Sequence, residues 1–133
     1  MIVYVDTSAF FAVLDADDSC HSVAAKVWEE LVSQNTTLIC NNYILVESFA
    51  LIQNRLGMAA VNELQNNLIP IIKIEWVDEQ LHRSGISAFL TASQKKLSLV
   101  DCTSFETMRK LGIQIAFTFD HHFADRGFKC LPV

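Results

Sequence analysis

Short apolar runs alternate along the chain with longer segments in which apolar residues recur every three or four positions. The runs predict five strands, at residues 2–5, 37–40, 71–77, 115–119 and 128–131. The segments between them predict helices at residues 9–14, 20–32, 42–56, 58–68, 78–96 and 101–111, with a short helical turn at 121–124. Strands that alternate with helices favour right-handed crossovers. We therefore predict an α/β fold, a three-layer αβα sandwich with a central parallel sheet.

The apolar positions also predict which parts of these elements are buried. The run at 2–5 is continuously apolar, which is typical of a central strand buried on both faces, whereas the run at 71–77 alternates and is expected nearer an edge. Val23, Val27 and Leu31 predict one buried stripe on the second helix. Apolar positions on the 78–96 helix are predicted at Leu81, Ile86, Phe89 and Leu90.

Length and composition limit the possible architectures. We expect residues 1–133 to form a single domain, because 51% of them are hydrophobic and the chain is long enough to bury one core. No apolar run approaches the ~20 residues that span a bilayer, and Met1 to Tyr4 lead into Asp6 without a basic region, so we expect a cytoplasmic protein without membrane contact. The four cysteines lack the short spacings of a zinc site, which favours buried reduced thiols.

Four acidic residues stand in apolar surroundings. Asp6 and Asp120 follow strand residues, Glu47 is the single charge between Ile39 and Ile52, and Asp101 opens a helix. The carboxyl ends of parallel strands share one edge of the sheet, where open α/β sheets bind ligands. Since the Glu47 and Asp101 helices are expected to start at that edge, the four side chains are predicted to meet there.

Each acid also has a simpler interpretation. Asp6 could cap the first helix, although Thr7 and Ser8 could provide that cap and leave Asp6 free. Glu47 could face solvent, Asp101 could be an N-cap, and Asp120 could open the following turn. Asp125 is expected nearer solvent and is a possible accessory residue, as are Thr7 and Ser8.

Four carboxylates without clustered histidines or thiolates favour Mg²⁺ or Mn²⁺ over Zn²⁺. His121 and His122 are expected to diverge, since adjacent side chains point apart on a helix or strand. The net charge of −5 argues against a protein that binds nucleic acid by charge alone, although bound divalent ions would offset most of it.

The segments IVYVDTSAFF, NNYILVES, SLVDCTSFETMRKLGI and AFTFDHHF resemble those of PIN-domain proteins, in particular the small VapC-type toxin ribonucleases. The resemblance covers nearly the whole chain. It implies that Asp6, Glu47, Asp101 and Asp120 form a catalytic, metal-binding quartet, with a hydroxyl from Thr7 or Ser8 near the first acid. It also implies a homodimer and an antitoxin partner held in part by residues 42–68.

The function expected from this resemblance is Mg²⁺- or Mn²⁺-dependent hydrolysis of RNA phosphodiester bonds by the toxin of a toxin-antitoxin pair. One alternative is a non-catalytic module that uses the PIN fold to bind RNA or protein. A phosphatase of the haloacid-dehalogenase type is a further alternative, but that chemistry requires an aspartate two residues after the first, where this chain has Ser8.

Overall fold

The computed structural model describes residues 1–133 and contains one five-stranded sheet. Every pair of neighbouring strands is parallel, and the order across the sheet is β3-β2-β1-β4-β5. The strands are β1 (Ile2–Val5), β2 (Thr37–Asn41), β3 (Ile72–Glu75), β4 (Ile115–Phe117) and β5 (Lys129–Leu131). The predicted parallel sheet is confirmed, with β1 at its centre and β3 at one edge.

Seven α-helices connect and cover the strands. They are α1 (Thr7–Leu14), α2 (His21–Ser33), α3 (Asn42–Leu56), α4 (Met58–Glu63), α5 (Glu79–Ala92), α6 (Leu99–Leu111) and α7 (His122–Asp125). The predicted 58–68 helix is only partly α-helical, because π-helical Leu64–Leu68 and 3₁₀-helical Ile69–Ile71 follow α4 and lead into β3. The prediction that the next helix runs to Lys96 is wrong. It ends at Ala92, where Ser93 adopts a left-handed conformation (φ 48°, ψ 43°).

The layers follow from the direction of the crossovers. The chain steps from β1 to β2 and β3 in one direction, then returns past β1 to β4 and β5. Because such crossovers are right-handed, α1 to α4 cover one face of the sheet, and α5 to α7 cover the other. The strand order changes direction between β1 and β4, which is the place where doubly wound sheets bind ligands.

Burial follows the predicted pattern at the sheet and departs from it on two helices. Val3, Tyr4 and Val5 are fully buried. On α2 the predicted stripe is wrong at Val23, which is 46% exposed, because Ala24 occupies the buried position beside it. Leu90 on α5 is likewise 67% exposed. None of the helices is both long and apolar enough to cross a bilayer.

The cysteine prediction holds in part. All four thiols are free, and Cys40 and Cys102 are buried, but Cys20 and Cys130 are only partly covered.

Candidate metal-binding active site

The candidate site lies where β1 and β4 end side by side. Val5 pairs with Phe117 across the two strands, and the backbone N–H of Asp6 donates to the Phe117 carbonyl at 3.0 Å. Asp6 therefore leaves β1 opposite Thr118, two residues before Asp120. Strand register alone thus brings the first and last of the four predicted acids to the same edge of the sheet.

Asp6 is buried and is itself the N-cap of α1, so the prediction that Thr7 and Ser8 cap this helix in its place is wrong. Its Oδ2 accepts hydrogen bonds from the Ser8 backbone N–H at 3.3 Å, the Ser8 hydroxyl at 2.6 Å and the Thr118 hydroxyl at 3.0 Å. No protein hydrogen bond reaches Oδ1. The cap therefore uses one oxygen of the carboxylate and leaves the other without a protein partner.

The two hydroxyls after Asp6 have different partners. The Ser8 oxygen donates to Asp6 and accepts the Phe119 backbone N–H at 2.9 Å, which ties the end of β1 to the chain beyond β4. The Thr7 hydroxyl lies on the α3 side, where it accepts a hydrogen bond from Ser48 at 3.0 Å. Of the two accessory candidates, Ser8 contacts the first acid, and Thr7 links α1 to the helix that carries Glu47.

Glu47 lies in the second turn of α3, half-buried. The helix begins at the carboxyl end of β2, because Asn41 caps it by accepting the Ile44 backbone N–H at 2.9 Å. Burial raises the pKa of the Glu47 carboxyl, a hydrogen bond with the Thr7 side chain opposes this rise, and the charges of Asp101 and Asp120 add to it. The charges of both aspartates therefore act on Glu47, which is not an isolated charge on a solvated helix face.

Asp101 occupies the third position of α6, so the prediction that it begins or caps this helix is wrong. The cap is Ser98, whose hydroxyl accepts the Asp101 backbone N–H at 3.0 Å while Asp101 Oδ2 accepts the Ser98 N–H at 3.0 Å. This reciprocal capping box fixes the carboxylate at the helix N-terminus, and Oδ1 makes no protein hydrogen bond. Burial raises the Asp101 pKa, the Ser98 backbone opposes this, and the Asp120 charge raises it further.

Asp120 follows Phe119 in the turn that leads to α7 and is partly exposed. Its backbone N–H donates to the Thr118 hydroxyl at 3.0 Å, and its Oδ1 accepts the His122 backbone N–H at 3.0 Å. The imidazole Nδ1 of His122 lies 2.7 Å from the same oxygen, but the two groups are not aligned as a hydrogen bond. Asp120 Oδ2 has no protein hydrogen-bond partner.

The predicted divergence of His121 and His122 is wrong. Their ring centroids are 4.3 Å apart, and Asp120, His121 and His122 each place one potential metal-ligating atom within 4.8 Å of the others. The chain turns tightly into the four-residue helix α7, so neighbouring side chains are not held to the spacing of a regular helix. Asp125 lies on the exposed side of this turn, where its Oδ2 is 2.8 Å from His121 Nδ1.

Burial and mutual repulsion act together on the acids. Burial raises the pKa of Asp6 to about 6, the Ser8 and Thr118 side chains oppose the rise, and the Asp101 charge contributes to it. Together with the influence of Asp101 and Asp120 on Glu47, this links all four carboxylates in one electrostatic cluster. A bound cation would relieve the cost of holding these charges together.

The donor set fits a hard divalent ion. Asp6, Asp101 and Asp120 each keep one carboxylate oxygen in protein hydrogen bonds and leave the other without a partner in the protein. Fixed carboxylates with free oxygens are the ligands that Mg²⁺ and Mn²⁺ prefer. The residues that would hold the ion are these three aspartates and Glu47.

Two residues of the site were not identified from the sequence. Thr118 connects Asp6 to the Asp120 backbone through one hydroxyl, and the T-x-D spacing at the end of a strand was the available signal. His122 was set aside for the geometric reason corrected above.

Comparisons with known proteins agree with the fold. The family model for the PIN domain matches residues 3–129. The chain is 33% identical over 128 residues to the 23S rRNA-specific endonuclease VapC20 of Mycobacterium tuberculosis strain ATCC 25618 / H37Rv, which is 96% of this chain and 95% of that protein. The same identity and coverage hold for VapC20 of M. tuberculosis strain CDC 1551 / Oshkosh.

Solved structures show the same similarity. The crystal structure of M. tuberculosis VapC20, described as a Sarcin-Ricin loop cleaving toxin, matches with a TM-score of 0.84 and 32% identity, covering 96% of each chain. The crystal structure of FitAcB from Neisseria gonorrhoeae matches with a TM-score of 0.68 and 16% identity, covering 98% of this chain and 96% of that one. The second match shows a shared fold only.

Proposed function

The chain belongs to the PIN-domain family, and on that premise we propose that it is a divalent-metal-dependent endoribonuclease that acts as the toxin of a toxin-antitoxin pair. The observation that supports the proposal is that the charges of Asp101 and Asp120 raise the pKa values of neighbouring acids in the set Asp6, Glu47 and Asp101, at the edge where β1 and β4 end. Buried and partly buried acids whose charges repel one another are costly unless a cation compensates them. A module that only binds a partner has no need for this arrangement.

We infer that the four acids hold one or two Mg²⁺ or Mn²⁺ ions. Such an ion, when bound, makes water a stronger nucleophile at neutral pH and neutralises charge on the phosphate and the leaving oxygen. The protein's contribution is positional: Ser8 and Thr118 hold Asp6, and Ser98 holds Asp101. Without a cation, the acids would repel an RNA phosphate, so binding of the substrate at this site depends on the ion.

The first substrate to test is the sarcin-ricin loop of 23S rRNA. This choice rests on the VapC20 relative, whose name describes a 23S rRNA-specific endonuclease and whose structure is described as cleaving that loop. Incubation of purified protein with ribosomes or with a synthetic loop RNA, with Mg²⁺, Mn²⁺ or a chelator, should give a discrete cleavage product in the metal-containing samples. Cleavage of other RNAs but not of the loop would support the nuclease activity and would show that the loop is not the substrate.

Variants of the acids test the catalytic assignment. Asp6→Asn and Asp101→Asn should each abolish cleavage, because each replaces a free carboxylate oxygen by an amide that binds cations poorly. Asp17→Asn is a matched control, since Asp17 is an exposed aspartate in the loop after α1. Cleavage by Asp6→Asn or Asp101→Asn as fast as by the parent in Mg²⁺ would show that these acids are not catalytic.

We also propose a cytoplasmic homodimer that binds an antitoxin through α3 and α4. Exposed apolar side chains at Val46 on α3 and Met58 on α4 support this proposal. Light scattering of the purified chain tests the dimer. Co-expression with the product of the reading frame immediately upstream should relieve toxicity and give a stable complex, and a monomer that is not neutralised would contradict both proposals.

A further inference from the structure

His122 is the one residue whose buried side-chain polar atom lacks a hydrogen-bond partner. Its Nδ1 is shielded from solvent and makes no hydrogen bond, although the imidazole as a whole is 15% exposed. The nearest acceptor, Asp120 Oδ1 at 2.7 Å, is not aligned to receive a hydrogen bond from it, so the buried nitrogen is left without a hydrogen-bond partner, which is unfavourable. Some group other than bulk water is therefore expected to satisfy it when the protein is functional.

The surroundings of this nitrogen are those of a metal ligand. Nδ1 is 2.7 Å from Asp120 Oδ1, and Asp120, His121 and His122 each place one potential ligating atom within 4.8 Å of the others. Two neighbouring ligands about 2.1 Å from a common octahedral ion lie about 3 Å apart, so one ion can contact Nδ1 together with a carboxylate oxygen of Asp120. His122 thus stands beside Asp120, one of the acids that are proposed to hold the ion.

We propose that His122 supplies a nitrogen ligand through Nδ1 at the acidic site, so that the site takes Mn²⁺ in preference to Mg²⁺. This inference rests on the proposed metal-dependent function and adds to it the composition of the ligand set. Imidazole is a poor ligand for Mg²⁺, which also loses its water reluctantly, whereas affinity at nitrogen-containing sites rises along the first-row transition metals. A nitrogen that water does not reach suits an ion that sheds water more easily.

His121 provides the matched control. It is the adjacent histidine, but its side chain is 76% exposed and its Nδ1 is 2.8 Å from Asp125 Oδ2. Removing His121 takes away an imidazole from the same turn without removing the buried nitrogen. A comparison of His122→Gln with His121→Gln therefore separates a ligand from a nearby histidine.

The experiment is electron spin-echo spectroscopy of Mn²⁺ bound to the full chain, since the method detects ¹⁴N bonded to the ion. The parent and His121→Gln should show nitrogen modulation, and His122→Gln should lose it. Calorimetric titration should show Mn²⁺ affinity reduced roughly tenfold or more in His122→Gln, with Mg²⁺ affinity nearly unchanged. The parent spectrum is informative even if the variant fails to fold.

The contradicting results are distinct. Bound Mn²⁺ without nitrogen modulation in the parent would overturn the role of His122 and leave the four-acid nuclease intact. Modulation that disappears in His121→Gln but persists in His122→Gln would show that His121, and not His122, is the nitrogen ligand. Failure of the parent to bind Mn²⁺ or Mg²⁺ at all would overturn the proposed function itself.

Discussion

Replacing Asp6 by asparagine should stabilise the metal-free protein at neutral pH while removing its activity. Asparagine keeps an oxygen acceptor for Ser8 and Thr118, and its amide nitrogen can occupy the place of Oδ1, which makes no protein hydrogen bond. What the substitution removes is a negative charge that is buried without a compensating cation. The fold should therefore gain stability at the position where function is lost.

The pH dependence gives the magnitude and the sign of the stability change that Asp6→Asn should cause. Burial raises the Asp6 pKa from 3.8 to about 6 in the folded protein. Between these pH values the folded state holds more protons than the unfolded state. The contribution of Asp6 to the free energy of unfolding is therefore fully present below about pH 4 and is lost as the pH rises through about 6. The loss amounts to about 3 kcal/mol, and Asp6→Asn avoids it because the amide does not ionise.

The assay is urea unfolding followed by circular dichroism, in the presence of a chelator, at about pH 7.5 and about pH 4. Relative to the parent, Asp6→Asn should gain up to about 3 kcal/mol at the higher pH and little at the lower. Adding Mn²⁺ should stabilise the parent more than the variant. If Asp6→Asn is less stable than the parent at both pH values, or if Asp17→Asn shows the same gain, the charge of Asp6 is not the cause.

Three other substitutions test the packing and the hydrogen bonds that support the site. Gly85→Ala should destabilise the fold by about 1–3 kcal/mol, because the added Cβ would lie 2.4 Å from Thr103 Oγ1 and 3.3 Å from Thr103 Cα, where α5 packs against α6. Thermal unfolding measures this loss, and a gain in stability would refute the close contact. Thr118→Val should lower kcat and reduce the free energy of unfolding by about 1–2 kcal/mol, because it removes the hydroxyl that donates to Asp6. Thr118→Ser keeps this hydroxyl and should retain most activity. Equal activity of the two variants would show that the hydroxyl is dispensable. Ser98→Ala should cost about 1 kcal/mol through loss of the capping box and should weaken Mn²⁺ binding in calorimetry; unchanged stability and affinity would contradict that role.

The arrangement of strands was predictable because it depends on short, local signals. Continuous apolar runs mark buried parallel strands, and an acid at the end of such a run marks the edge of the sheet where the strands end. Asp6 and Asp120 were therefore assigned to one edge from their sequence positions alone. Their roles as ligands, and those of Glu47 and Asp101, stay predictions.

Other features depend on contacts that the sequence does not reveal. The Thr118 hydroxyl that holds Asp6 comes from 112 residues away, so no local pattern shows which carboxylate oxygen is left free. Helix α6 begins before Asp101 because Ser98 caps it. Leu99 and Val100 lie between the cap and Asp101, and these two apolar residues carry no signal for a helix start. The end of α5 at a left-handed Ser93 had no glycine or asparagine to mark it.

The most direct test of the shared site is a crystal structure of the protein soaked in Mn²⁺, with anomalous diffraction collected to locate the ion. We expect an anomalous peak within ligand distance of the free carboxylate oxygens of Asp6, Asp101 and Asp120, with Glu47 beside it. Ordered acids with no peak between them, and Mn²⁺ bound only elsewhere on the protein, would contradict the proposal that these side chains form one cation site.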